Sequence, residues 1–231
     1  MIISKEKNFI FTHVHRTGGT SFKLALGKYR VKTSNLIVAS NKDFEEIKTH
    51  STAAEIKELT DAMYGQDFFK NAFKFATVRN PLSWHISTYE FIISNPGHIK
   101  HNLYKKIGFK RYILDLYTRG VQMTGINYSP ERIAMNKGNT DLLSRPDYIT
   151  LTDYLCDKKG NLLMDHICRF ETLQNDFNYV CKTIGISAVT IRHANKMNRK
   201  RKIKEYYDND TMVAIYNIHK GDLEKFNYSF W

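Results

Sequence analysis

The chain has 231 residues, with 35 Lys and Arg against 23 Asp and Glu, for a formal net charge of +12. Apolar residues make up 42% and aromatics 13%, which excludes an intrinsically disordered chain and suits one α/β domain over 1–231. No run approaches the roughly 18 consecutive apolar residues of a membrane span, and three cysteines without CxxC spacing (Cys156, Cys168, Cys181) read as reduced thiols of a cytoplasmic protein with no zinc site.

In chain order, the opening MIISKEKNFIF carries charges inside any would-be apolar core and lacks a small-residue cleavage site, so no signal peptide is expected. Lys7 to Val14 reads as a buried strand, and Thr20 to Lys28 as a helix ending near Gly27. Ser34 to Ala39 is a short second strand. In THSTAAEIKEL, Thr52 and Glu55 form a capping-box pattern ahead of Ala53, Ile56, Leu59 and Met63 at helical spacing. Ala72 to Val78 predicts a third strand, and Pro81 opens a helix to about Ile93. Residues 95–150 mix amphipathic helical pieces with polar loops, the pattern of a helical insertion that covers a site and touches a substrate. Met164 to Phe170 is a further strand, Glu171 to Ile184 a helix stopped by Gly185, and Asp208 to Lys220 a last helix. Strands alternating with helices predict a parallel, doubly wound sheet.

Two junctions carry chemistry. In HVHRTGGTSF a strand passes a Gly-Gly pair and becomes helical. Thr17, Gly18, Gly19, Thr20 and Ser21 at a helix N-terminus offer amide N–H groups, hydroxyl donors and the positive end of the helix dipole. Arg16 adds a permanent charge with a fork geometry. The same residues also suit an ordinary strand-to-helix turn, and the P-loop pattern GxxxxGK[ST] is absent. At the second junction AFKFATV leads into Arg79-Asn80-Pro81, with Ser87 on the following helix. An Arg at a strand's C-terminal end and a Ser on the next helix can converge on one phosphate at the sheet's crevice. Taken singly, a surface salt bridge for Arg79 and a helix-face role for Ser87 serve as well.

The histidines and the basic run leave alternatives open. His50, just before the capped helix, is of the residue type that serves as a general base at neutral pH, or is a polar residue without catalytic duty. His13 and His15 alternate along a strand, and with no third ligand in pattern they read as core or loop packing rather than a metal pair. The run NKMNRKRKIKEYYD is a solvated loop, a nucleic-acid contact, or a loop over an anionic ligand.

Together, HVHRTGGTSF and FKFATVRNPLSWHISTYEF resemble the 5′-phosphosulfate loop and the 3′-phosphate motif of the sulfotransferases that use 3′-phosphoadenylyl sulfate (PAPS), in particular the family-2 group that includes carbohydrate sulfotransferases. THSTAAEI, RFETLQNDFNYVCKTIGI and a C-terminal N…R…YYD…DLEKFNYSF pattern extend the resemblance, which leaves out 95–150. It implies a central parallel sheet flanked by helices, a P-loop-like strand-loop-helix, and a helical insertion on the acceptor side. It also implies transfer of a sulfuryl group from PAPS to an acceptor hydroxyl, a carbohydrate among the candidates. PAP is then the product, and no metal and no nucleic-acid partner are expected. In that frame Arg16, Thr17, Gly18, Gly19, Thr20 and Ser21 hold the 5′-phosphosulfate. Arg79 and Ser87 hold the 3′-phosphate, joined by Arg199 from the basic run, and His50 is the base. The family usually carries Pro-Lys where this chain has His15-Arg16, so Arg16 supplies the charge of that Lys with a different reach. Two rival classes remain. A P-loop kinase is opposed by the missing Walker Lys and by the lack of a well-placed Asp for Mg²⁺. A non-catalytic nucleic-acid-binding protein using 196–204 leaves the paired motifs unexplained.

Overall fold

The computed structural model describes residues 1–31, 50–98, 100–124, 150–192 and 201–230, and for 119–124 the backbone alone. The strand expected over 34–39, the polar loops expected between 136 and 146, and Arg199 lie outside the described residues. In chain order the elements are β1 (Ile2–Ser4), β2 (Phe9–Thr12), α1 (Gly19–Leu26), α2 (Ala53–Tyr64), α3 (Gln66–Asn71), β3 (Phe73–Val78), α4 (Pro81–Ser94), α5 (His101–Thr124), α6 (Leu151–Leu155), β4 (His166–Arg169), α7 (Leu173–Thr183) and α8 (Asn209–Lys225). The protein is therefore α/β. No described helix is long and apolar enough to cross a membrane.

Local chemistry sets several of these boundaries. The Thr52 hydroxyl accepts from the Glu55 amide while the Glu55 carboxylate accepts from the Thr52 amide, so the expected capping box starts α2. Asn80 caps α4 by accepting from the Leu82 amide, ahead of Pro81, whose missing N–H costs nothing at a helix start. The first strand is shorter than the sequence suggests and has an unexpected neighbour. Ile2–Ser4 folds back antiparallel on β2, with Asn8 at φ 48° closing the connection, a conformation that Asn tolerates better than most residues. Three residues are too few for a period-two pattern to reveal β1.

The chain divides into two compact units. One comprises Met1–Arg79 and Leu151–Lys196, and the other Asn80–Thr150 and Met197–Trp231. The first unit holds a four-stranded sheet in the order β1-β2-β3-β4. β2, β3 and β4 run parallel, in register Phe11↔Phe75 and Phe75↔His166. One face buries Phe9, Phe11 and Phe75 against Phe22 and Leu26 of α1 and Phe177 and Val180 of α7. The other packs Ile3 and Ile10 on Ile56 and Leu59 of α2 and Phe69 of α3. Alternation along β1 and β2 supplies both faces, so the sheet is covered on both sides as parallel strands require. Cys156, Cys168 and Cys181 are buried and form no disulfide.

The second unit is helical among its described residues. Leu82, Ile86, Tyr89 and Ile92 of α4 meet Tyr104, Phe109, Tyr112 and Ile113 of α5 and Ala214 and Ile215 of α8. Gly108 breaks α5 at φ 80°, a value at which a side chain is strained, although open space surrounds the position. A polar chain crosses this apolar core. The His219 Nδ1–H donates to Asp222 Oδ2 at 2.8 Å, His219 Nε2 faces His85 Nε2 at 2.7 Å, and His85 Nδ1 meets the Tyr112 hydroxyl at 3.1 Å. Two nitrogens so close cannot both carry a proton or both present a lone pair, so one proton lies between them. All four residues are buried.

Candidate anion-binding and catalytic site

The site is built where β2 stops. After Thr12 the chain runs through His13, Val14, His15, Arg16 and Thr17 to Gly18, and α1 begins at Gly19. Arg16 stands at φ 58° and Gly18 at φ 90°, two left-handed turns that fold the backbone back on itself. Gly18 occupies the N-cap of α1, its carbonyl accepting from the Ser21 amide at 3.0 Å, and no side-chain oxygen caps the first amides of the helix. Together with the helix dipole they favour an anion.

Both glycines are required by contact. A Cβ at Gly18 would stand 2.9 Å from Cδ2 of Phe170 and 3.0 Å from Cδ2 of Leu173. A Cβ at Gly19 would stand 2.1 Å from Cδ2 of His13, inside its ring's van der Waals surface. The Thr17 hydroxyl is turned inward, donating to the Val14 carbonyl at 2.8 Å and lying 2.7 Å from the Thr77 hydroxyl of β3. Thr17 therefore ties the loop to the sheet, and Thr20 and the buried Ser21 follow in the first turn of α1.

Arg79, the last residue of the first unit's N-terminal segment, is buried and braces the loop from the sheet side. Its Nη1 donates to the Arg16 carbonyl at 3.1 Å, and its guanidinium carbon lies 3.9 Å from the Phe170 ring centroid. Phe170 thus meets both the cation and the space beside Gly18, a role that no motif in the sequence announced. Arg16 is half-buried, and burial presses its pKa below the ordinary value. An anion beside it would offset that cost.

His50 closes the site at the start of α2. Its Nδ1 lies 2.8 Å from the His13 carbonyl oxygen. A carbonyl only accepts, so Nδ1 carries the proton and a neutral His50 holds its lone pair on Nε2, the atom a general base uses. The His13 and His50 ring centroids are 4.5 Å apart, and the His15 ring stands edge-on to His50 at 6.2 Å. His15 Nδ1 meets the Tyr154 hydroxyl of α6 at 3.0 Å, a partner that sequence reading missed because one tyrosine in an unpatterned stretch carries no signal. Burial first, and the neighbouring His50 second, push His13 down to about 2 and His15 down to about 3. Both rings are therefore neutral at physiological pH. Among the described residues no group of three His, Cys, Asp or Glu side chains could hold a metal ion.

The first unit thus gathers Arg16, Thr17, Gly18, Gly19, Thr20, Ser21, His50 and Arg79 around one loop. Ser87 is a buried residue of α4 in the second unit. Of the basic run, Arg201, Lys202 and Lys204 are described, and they lead into Tyr206 and Tyr207. Those hydroxyls donate to Glu90 at 2.6 Å and to the Leu82 carbonyl at 2.8 Å, fastening the run's end to α4.

A model of the sulfotransferase family matches residues 1–229 of the chain. No curated protein and no solved structure matches it.

Proposed function

The chain belongs to the sulfotransferase family, and on that premise we propose that it moves the sulfuryl group of PAPS to an acceptor hydroxyl, with a carbohydrate as the acceptor class. PAPS supplies the sulfuryl group and a phosphate that can leave with its bonding electron pair. The single observation carrying the reading is the uncapped, glycine-lined N-terminus of α1, set between Arg16 and a histidine whose tautomer leaves Nε2 basic.

In this reading the amides of Gly18, Gly19 and Thr20 bind the 5′-phosphosulfate with Ser21 and the Arg16 guanidinium. His50 Nε2 takes the acceptor's proton as the acceptor oxygen bonds to sulfur. The bond from sulfur to the bridging oxygen breaks, and its electron pair settles on the departing PAP. Arg16 and the loop amides stabilise the charge that gathers there, and they strengthen as that charge grows. Arg79 serves twice, holding the Arg16 carbonyl and contributing to the 3′-phosphate contact. Ser87 and Arg199 are assigned to the 3′-phosphate on the sequence motif. Residues 95–150 form the acceptor side, within one functional domain over 1–231. The buried cysteines, which form no disulfide, support a reducing compartment, the cytoplasm.

Calorimetry with PAP, ATP-Mg²⁺ and an oligonucleotide tests the donor. Binding of PAP alone supports the reading, and preference for ATP-Mg²⁺ or the oligonucleotide overturns it in favour of a kinase or a nucleic-acid-binding protein. Labelled PAPS offered with glycans, phenols and lipids then identifies the acceptor.

A further inference from the structure

His13 is 5% exposed, in the aromatic layer that includes Phe11, and its ring stacks on the Phe11 ring at 18° between planes. A phenylalanine would fill this position at no polar cost. The imidazole instead carries a nitrogen, Nδ1, that is sealed from solvent and meets no hydrogen-bond partner. The ring's opposite edge, Cδ2 and Nε2, is pressed against Gly19 at the start of α1, at 2.1 and 2.6 Å from where a Cβ would stand. Held neutral by burial, the ring has a single N–H. A buried N–H without an acceptor is rarer than a buried acceptor without a donor, so the proton belongs on Nε2. No described group accepts from Nε2, and that edge faces Gly19, the first residue of α1.

We propose that His13 is itself an anion ligand: its Nε2–H donates to an oxygen of the phosphate or sulfuryl group held by the amides of α1. The proposal rests on reading this loop as the 5′-phosphosulfate cradle and adds a residue to it. A neutral donor contributes a directional contact without adding a second cation beside Arg16. Because the His13 carbonyl also orients His50, one residue then links the anion to the base. The absent side chain of Gly19 is what opens the path between them.

The test is His13→Phe, which keeps the ring's contact with Gly19 and removes the donor. PAP affinity by calorimetry should fall about ten-fold, as for one lost hydrogen bond to a charged group, while His13→Gln, which keeps a donor, recovers part of it. Equal affinity in folded His13→Phe and wild type overturns the proposal. Should His13→Phe not fold, ¹⁵N-resolved NMR of the wild-type protein decides. A protonated His13 Nε2 whose resonance shifts on saturation with PAP supports the contact, and an unshifted one overturns it. If the wild-type protein does not bind PAP, the PAPS reading fails separately. Titration with inorganic pyrophosphate, followed on the same His13 resonance, then supports or overturns the anion contact alone.

Discussion

In the second unit His85 and His219 share a proton across 2.7 Å, with Tyr112 at one end of the chain and Asp222 at the other. In the first unit His13, His15 and His50 crowd ring against ring, and His13 Nδ1 is sealed from solvent without a hydrogen-bond partner among the described residues. Both clusters are largely buried, so burial alone does not distinguish them. Satisfaction does. A buried polar chain with every contact made inside the protein specifies how helices pack. A buried polar group left unmet beside an uncapped helix start costs stability, and a ligand can remove that cost. Residues of the first cluster should therefore matter to binding and turnover, and those of the second to folding.

His50→Ala tests the first half most severely. Turnover of the identified acceptor should fall roughly 10²–10⁴-fold with PAP affinity nearly unchanged, and wild-type turnover would move the base elsewhere. His219→Leu is the matching test in the helical unit. Removing the imidazole from Asp222 and His85 together should cost on the order of 3 kcal/mol in urea unfolding. A loss well under 1 kcal/mol would erase the contrast between the clusters.

Arg79→Ala sharpens the comparison at the sheet end. A charge-assisted contact contributes about 1.5–3 kcal/mol, so PAP should bind roughly ten- to a hundred-fold more weakly to the folded variant. The acid limb of stability comes next. His13 titrates near 6.5 when unfolded and near 2 when folded. Below pH 6.5 the unfolded chain takes up a proton that the native ring refuses, and stability falls as pH falls toward 2. Urea midpoints from pH 7 to 4 should show His13→Phe relieved of about 1.4 kcal/mol of that loss per pH unit; parallel curves would mean that the ring protonates in place. Ser87→Ala is the mildest, about 0.5–1.5 kcal/mol in PAP affinity. An effect matching Arg79→Ala would point to displacement of α4 rather than loss of one hydroxyl.

Much of this was readable before the fold, and what escaped did so for identifiable reasons. The Thr52–Glu55 box, Pro81 after the β3 strand, and the glycine loop are local devices whose signal lies within a few residues. The strand read as Lys7 to Val14 is ordered as Phe9–Thr12 because its parallel ladder with β3 ends at Thr12↔Ala76. Phe170 under Arg79, Tyr154 on His15 and the His85–His219 contact join residues far apart in the chain, and no local spacing encodes them. His13 was visible as an alternating histidine and read as packing. Its unmet nitrogen emerges only when the ring's surroundings are known.

The contact between His13 and Gly19 also constrains how this sequence can drift. A methyl at position 19 demands a smaller residue at position 13, since it would enter the imidazole ring. Shrinking position 13 first, however, removes the ring beside His50. Either order passes through an impaired intermediate, so the two positions are epistatic. A library that randomises them together should return compensated pairs that neither single-site scan contains.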